Sequence, residues 1–103
     1  MNFLGYELKY NLGVTRDIKR AFNRDFNKVV TNELSIDDII KFIYTCLVDK
    51  DMKLNEFTDY VYESDVGLGD IQETYMNLTI KLMYPGLTVD EGKMKLRELQ
   101  DQN

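Results

Sequence analysis

Histidine and tryptophan are missing from this sequence, and cysteine occurs once, at Cys46. Without histidine there is no ordinary zinc constellation and no imidazole to activate a nucleophile, and a lone cysteine leaves no intrachain disulfide. A reducing compartment is the expectation that follows. No apolar stretch approaches the roughly 18 residues of a membrane span, and the N-terminus lacks the basic segment and continuous apolar run of a signal peptide. The expected setting is therefore the cytoplasm, with no membrane contact. Positive charge is scarce as well, with 13 basic side chains against 18 acidic ones and a net charge of −5. Residues 1–30 carry six basic and three acidic side chains (+3), so residues 31–103 carry seven and fifteen (−8). Overall acidity argues against a generic nucleic-acid or anionic-membrane binder, because neutralising phosphate needs a net positive face.

What the sequence does contain is material for a core. Hydrophobic residues make up 44% and charged residues 30%, the balance of a soluble globular chain. A chain of 103 residues reads as one α-rich domain, 1–103. It is organised around Ser35 to Val48, where Ile36, Ile39, Ile40, Ile43, Cys46 and Leu47 recur at helical spacing. Ser35 can accept a hydrogen bond from a free amide of the first turn, and Asp37 and Asp38 sit where the helix dipole favours negative charge. Phe42, Tyr44 and Val48 widen the stripe, so neighbours are expected on more than one side.

Before that helix, Tyr6, Leu8, Tyr10 and Leu12 alternate with polar residues, the period of a half-buried strand. Phe3 and Leu4 ahead of Gly5 suggest the first arm of a hairpin, so residues 1–13 read as a strand or hairpin. Val29, Val30 and Thr31 form a β-branched run that could pair with it, or the strand edge could be an oligomer contact. Thr15 reads as an N-cap for a helix with Ile18, Ala21, Phe22 and Phe26 inside and Arg16, Lys19, Arg20 and Arg24 outside. Beyond the central helix, Asn55 reads as the cap of a short helix that carries Phe57, Tyr60 and Val61 inward, with Leu54 packing back as a staple. Val66-Gly67-Leu68-Gly69 reads as a loop, and Asp70 as the cap of a long helix apolar on most sides, hence nearly fully buried. Pro85-Gly86 stops it. Thr88-Val89-Asp90-Glu91 is a capping box that opens a C-terminal amphipathic helix over 88–103, and Gly92 inside it costs about 1 kcal/mol relative to alanine. That last helix is either docked by a narrow apolar stripe or partly frayed when alone. The fold class expected is mainly α, a small bundle of four to five helices with a short N-terminal strand or hairpin.

Catalytic and metal motifs fail on inspection. A calcium loop from Asp49 would place Lys53, Leu54 and Tyr60 where a ligand, the turn glycine and the bidentate glutamate belong. Gly67-Leu68-Gly69 lacks the third glycine of a phosphate cradle, and Cys46 lies on an apolar face with no base to activate it. Asp37 and Asp38 are adjacent on a helix and point apart, poor geometry for shared acid and base work. No enzyme and no cofactor is the expectation. The tyrosines suit protein interfaces, because a tyrosine buries its ring while its hydroxyl stays wet.

Three stretches resemble the small tail assembly chaperones encoded by long-tailed double-stranded DNA phages and prophages. Gly5-Tyr6-Glu7-Leu8-Lys9-Tyr10-Asn11-Leu12-Gly13 with Arg16 to Phe22 is similar to that family's opening strand and first helix. Ser35 to Leu47 is similar to its middle helix, and Leu54-Asn55-Glu56-Phe57-Thr58-Asp59-Tyr60 to the short acidic helix that follows, so the likeness covers about the first 65 residues. The resemblance implies a non-enzymatic protein that coats the helical tape measure protein, hands it to the tail tube protein as that polymerises, and self-associates. It also implies the short form, since no further domain follows Asn103. The side chains expected to meet a partner are Tyr60, Tyr62, Val89, Leu96 and Leu99, which the core could leave over. The competing reading is a small DNA-binding regulator using Arg16, Lys19, Arg20 and Arg24 on the first helix.

Overall fold

A computed structural model describes residues 1–101, and the side chains of residues 1–98. The chain opens with a hairpin of two short strands, β1 (Asn2–Phe3) and β2 (Tyr6–Glu7), paired antiparallel with Phe3 opposite Tyr6. Leu4 and Gly5 turn the hairpin with φ of 50° and 85°. Two positive φ values in a two-residue loop are the primed turn whose twist matches the strands, which accounts for Gly5. Six helices follow: α1 (Leu12–Phe22), α2 (Phe26–Thr31), α3 (Ile36–Thr45), α4 (Leu54–Glu63), α5 (Leu68–Met83) and α6 (Val89–Asp101). The fold is mainly helical with an N-terminal hairpin, as the periodicity indicates, but with one helix more than the four to five expected.

The additional helix is α2, where the β-branched run suggested a strand. Phe26, Val29 and Val30 stand at helical spacing, and Val29 is buried in the core. Tertiary packing overrides the strand preference of three β-branched residues, which is worth only tenths of a kcal/mol per position. The N-terminal strand is also shorter than its alternation suggests. After Leu8 the chain leaves the hairpin and bridges to Leu47, with Lys9 N–H donating to Cys46 O at 2.8 Å and Val48 N–H to Glu7 O at 2.9 Å. The outer edge of β2 is thereby closed within the chain by the end of α3. Helix α1 then starts from Asn11 and not Thr15, whose hydroxyl donates to Leu12 O.

Helix α3 is the centre, as its sequence predicts. Ser35 Oγ accepts from Asp38 N–H at 3.1 Å, and Ile39, Ile40, Phe42 and Ile43 are buried against α1, α4 and α5. Burial of such side chains contributes about 1.5–3 kcal/mol each, as an upper estimate. The two buried hydroxyls do not disturb this interior, because Thr45 and Thr79 each donate to the carbonyl four residues back, at 2.8 and 2.9 Å. Cys46 is buried here too, and burial pushes its thiol up to about 12.

Two helix starts differ from expectation by a few residues. Helix α4 begins at Leu54 after Lys53, whose N–H donates to Glu56 Oε1 at 3.4 Å, so Asn55 lies inside the helix. Helix α5 begins at Leu68, with Gly67 N–H donating to Asp70 Oδ2 at 3.3 Å; Gly69 is therefore helical, and Asp70 serves from within the first turn. Helix α5 is also less enclosed than its composition suggests, since Gln72, Glu73 and Met76 are exposed.

The capping box of α6 forms in full, Thr88 N–H donating to Glu91 Oε1 at 3.1 Å and Glu91 N–H to Thr88 Oγ1 at 3.2 Å. The Thr88 backbone bond, aided by the Thr88 side chain, holds the Glu91 carboxyl below its ordinary 4.5. A carboxylate with a depressed folded pKa stabilises the fold at neutral pH, and that contribution fades as pH falls below 4.5 through the folded value. Acid titration followed by NMR is expected to loosen α6 before α3. Glu91→Gln, which keeps the acceptor oxygen, removes that pH dependence.

Candidate functional site

An apolar groove lies where the N-terminal half of α3, the end of α4 and the first turn of α5 meet. It encloses about 240 Å³ and is lined by Ile36, Ile40, Val61, Tyr62, Val66, Leu68 and Ile71. The spacing of Ile36 and Ile40 on α3, and of Leu68 and Ile71 on α5, places each pair on one helix face. Val66 enters from the link between α4 and α5, where Ser64 Oγ accepts its N–H at 3.3 Å. At the lip, Tyr62 is 60% and Leu68 54% exposed, so the mouth is wide and greasy. Tyr62 Oη donates to Asp37 Oδ1 at 2.7 Å, and this bond, with some desolvation, raises the phenol above its usual range. The bond ties the rim of α4 to the first turn of α3.

The sequence-predicted partner residues fall on separate parts of this frame. Tyr62 faces the groove, but Tyr60, two residues away, lies on another side of α4 with its ring edge-on to Tyr6 at 6.1 Å. Tyr6 in turn packs edge-on against Phe57, which also meets Phe3 and Tyr44, so Tyr60 extends an aromatic cluster under the hairpin. Val89 and Leu96 are half-buried on α6, which packs chiefly on α5. Leu99 belongs to the same helix, and its side chain lies outside the described residues. Ile36, Ile40, Val61, Val66, Leu68 and Ile71 complete the groove; sequence reasoning placed Ile36, Ile40 and Val61 among core side chains and none of the six among partner contacts.

Arg16, Lys19 and Arg20 share one exposed face of α1 but are differently engaged. Lys19 pairs with Asp25 at 3.2 Å, while Arg20 lines a wider cleft of about 520 Å³ with Asp17, Lys41, Tyr44 and Lys50. Lys41 Nζ there lies over the Phe22 ring at 4.7 Å, and Lys50 donates to Leu47 O at 3.1 Å. Desolvation, then repulsion from Lys9, lowers the Lys50 pKa. Arg16 is exposed on the helix, whereas Arg24, expected on the same helix, lies beyond its end at Phe22, exposed in the link to α2.

Among the described residues, no three histidine, cysteine or carboxylate side chains converge on a point where a metal could sit. None of the helices they form is long and apolar enough to cross a membrane. Compared with known proteins, the chain matches no family model, no curated protein and no solved structure.

Proposed function

We propose that this chain is a binding protein without catalytic activity, which holds an amphipathic helix of a partner polypeptide and keeps its apolar face from aggregating. The partner that the sequence resemblance suggests is a phage tape measure protein, sheltered in the host cytoplasm until tail tube subunits assemble around it. The observation that carries the reading is the groove between α3, α4 and α5. Six of its seven lining side chains are aliphatic, and the seventh, Tyr62, bonds to Asp37 at the rim. Such a surface suits helix-in-groove recognition, in which apolar anchors at i, i+3, i+4 and i+7 settle into a hydrophobic trough. The volume of about 240 Å³ accepts one or two such anchors, so affinity per copy is modest. A long helix coated by many copies gains the rest from avidity, which is why self-association belongs to the proposal.

Coexpression tests it. A tape measure protein produced with this chain is expected to stay soluble and to elute with it, in a complex whose light-scattering mass contains several 12.1 kDa copies. A tape measure protein that precipitates to the same extent with and without the chain would reject the assignment.

A further inference from the structure

The wider cleft, where α1, α3 and the start of α4 meet, shares no lining residue with the apolar groove. Its volume of about 520 Å³ lies within the roughly 300–1,000 Å³ of small-molecule sites. Arg20 of α1, Lys41 of α3 and Lys50 of the link to α4 all line it, in a chain whose net charge is −5. The ion pair found among the described residues is Lys19 with Asp25, so none of these three cations is paired. Asp17 lines the same cleft without closing a bridge to any of them; three cations and one carboxylate leave a local charge of +2. Like charges gathered without a counter-charge destabilise one another, and an anion in the cleft removes that cost. Two of the cations are also held in place. Lys41 Nζ rests on the Phe22 ring at 4.7 Å, and Lys50 Nζ donates to Leu47 O at 3.1 Å, which leaves two of its three N–H groups for another acceptor. The rest of the lining is apolar or already engaged: the Tyr44 and Thr45 hydroxyls donate to Met52 O and Lys41 O, and Ala21 and Leu54 have no polar side-chain atom.

We propose that this cleft is a binding site for a small phosphate monoester with an apolar body. Such an ester carries a charge of about −2 at neutral pH, which balances the +2 of the lining, and its three terminal oxygens match three cationic donors. A lone carboxylate brings one charge and two oxygens, and so leaves one cation uncompensated. The apolar body covers Ala21 and Leu54, a gain that inorganic phosphate cannot make. The site is independent of the groove, and stands or falls without regard to whether a helix binds there.

Phenyl phosphate is the probe, titrated into the full chain and followed by calorimetry and backbone-amide NMR, beside inorganic phosphate and benzoate. It is expected to bind at least tenfold more tightly than either, shifting the amides of Ala21, Thr45 and Leu54 and leaving those of Ile36 and Ile71 in place. Arg20→Gln and Lys50→Gln each remove a charge-assisted hydrogen bond, and each is expected to weaken phenyl phosphate about tenfold or more. Both residues are exposed, and thermal melts of the two chains check that the fold is unchanged. Asp17→Asn takes the only carboxylate out of the lining and is expected to tighten binding several-fold, a gain that a damaged fold cannot produce. Benzoate as tight as phenyl phosphate overturns the phosphate assignment, and inorganic phosphate as tight overturns the apolar body. Absence of phenyl phosphate binding, or affinity unchanged in the Arg20→Gln, Lys50→Gln and Asp17→Asn chains, overturns the site itself.

Discussion

Replacing Phe42 by alanine is expected to cost about 3–5 kcal/mol and to lower the thermal midpoint by on the order of 20 °C. The ring has no exposed surface and is the junction of four helices. Tyr75 of α5 meets it edge-on at 4.9 Å, and Phe22 of α1 and Phe26 of α2 lie with centroids at 6.4 Å. Removal loses the transfer energy of the ring and three aromatic contacts of about 0.5–1.5 kcal/mol each, and it leaves a void that rigid neighbours on three sides cannot close. Domains of this length have only about 5–15 kcal/mol to lose. Thermal or urea unfolding measures the effect, with Met94→Ala, at an exposed site on α6, as the control expected to stay within about 0.5 kcal/mol. A Phe42→Ala midpoint within a few degrees of the natural chain would mean that α3 is not the centre of the core.

Leu68→Asp is expected to weaken partner binding at least tenfold with almost no change in stability. Leu68 is 54% exposed at the groove lip and is the first residue of α5. A carboxylate at a helix start interacts favourably with the free amides there, by about 0.3–1 kcal/mol, which offsets the small loss of burial. In the complex the same carboxylate is desolvated against Ile36, Ile71 and the partner's apolar face with nothing to pair with. That penalty is several kcal/mol, against about 1.4 kcal/mol for a tenfold loss of affinity. Titration of a helical tape measure segment against both chains, alongside thermal melts, separates the two effects. Unchanged affinity would place the partner somewhere other than this groove.

The central helix and the last turn-and-helix unit were legible in the sequence because each signal there is local. Ser35 caps the helix it precedes, Thr88 and Glu91 satisfy each other across one turn, and Pro85 ends α5 whatever surrounds it. The first half was harder to read because its outcome depends on distant partners. The alternation of Tyr6 to Leu12 stops pairing at Leu8 because the end of α3 offers Leu47 as the next partner, a contact that no spacing encodes. Val29 joins a helix because the core awaits it on one side. Gly67 and Gly69 suggested a loop, yet glycine costs little in a first turn whose amides lack helical partners in any case, and Asp70 supplies one of them. The groove was half legible. Tyr62 stood out by residue type, but its association with Leu68 follows only from α4 and α5 meeting over α3. Gly92, a helix weakness by propensity alone, is the contact that lets α6 approach Ile80.

Methyl NMR on the chain with and without a helical tape measure segment tests most directly whether the groove is where a partner lies. Binding is expected to shift the methyl signals of Ile36, Ile40, Val61, Val66, Leu68 and Ile71 while those of Val14 and Ile18, buried on α1, stay in place. Shifts confined to the cleft of Arg20, Lys41 and Lys50, or no shifts at partner concentrations that keep the segment soluble, would contradict a groove that receives helices.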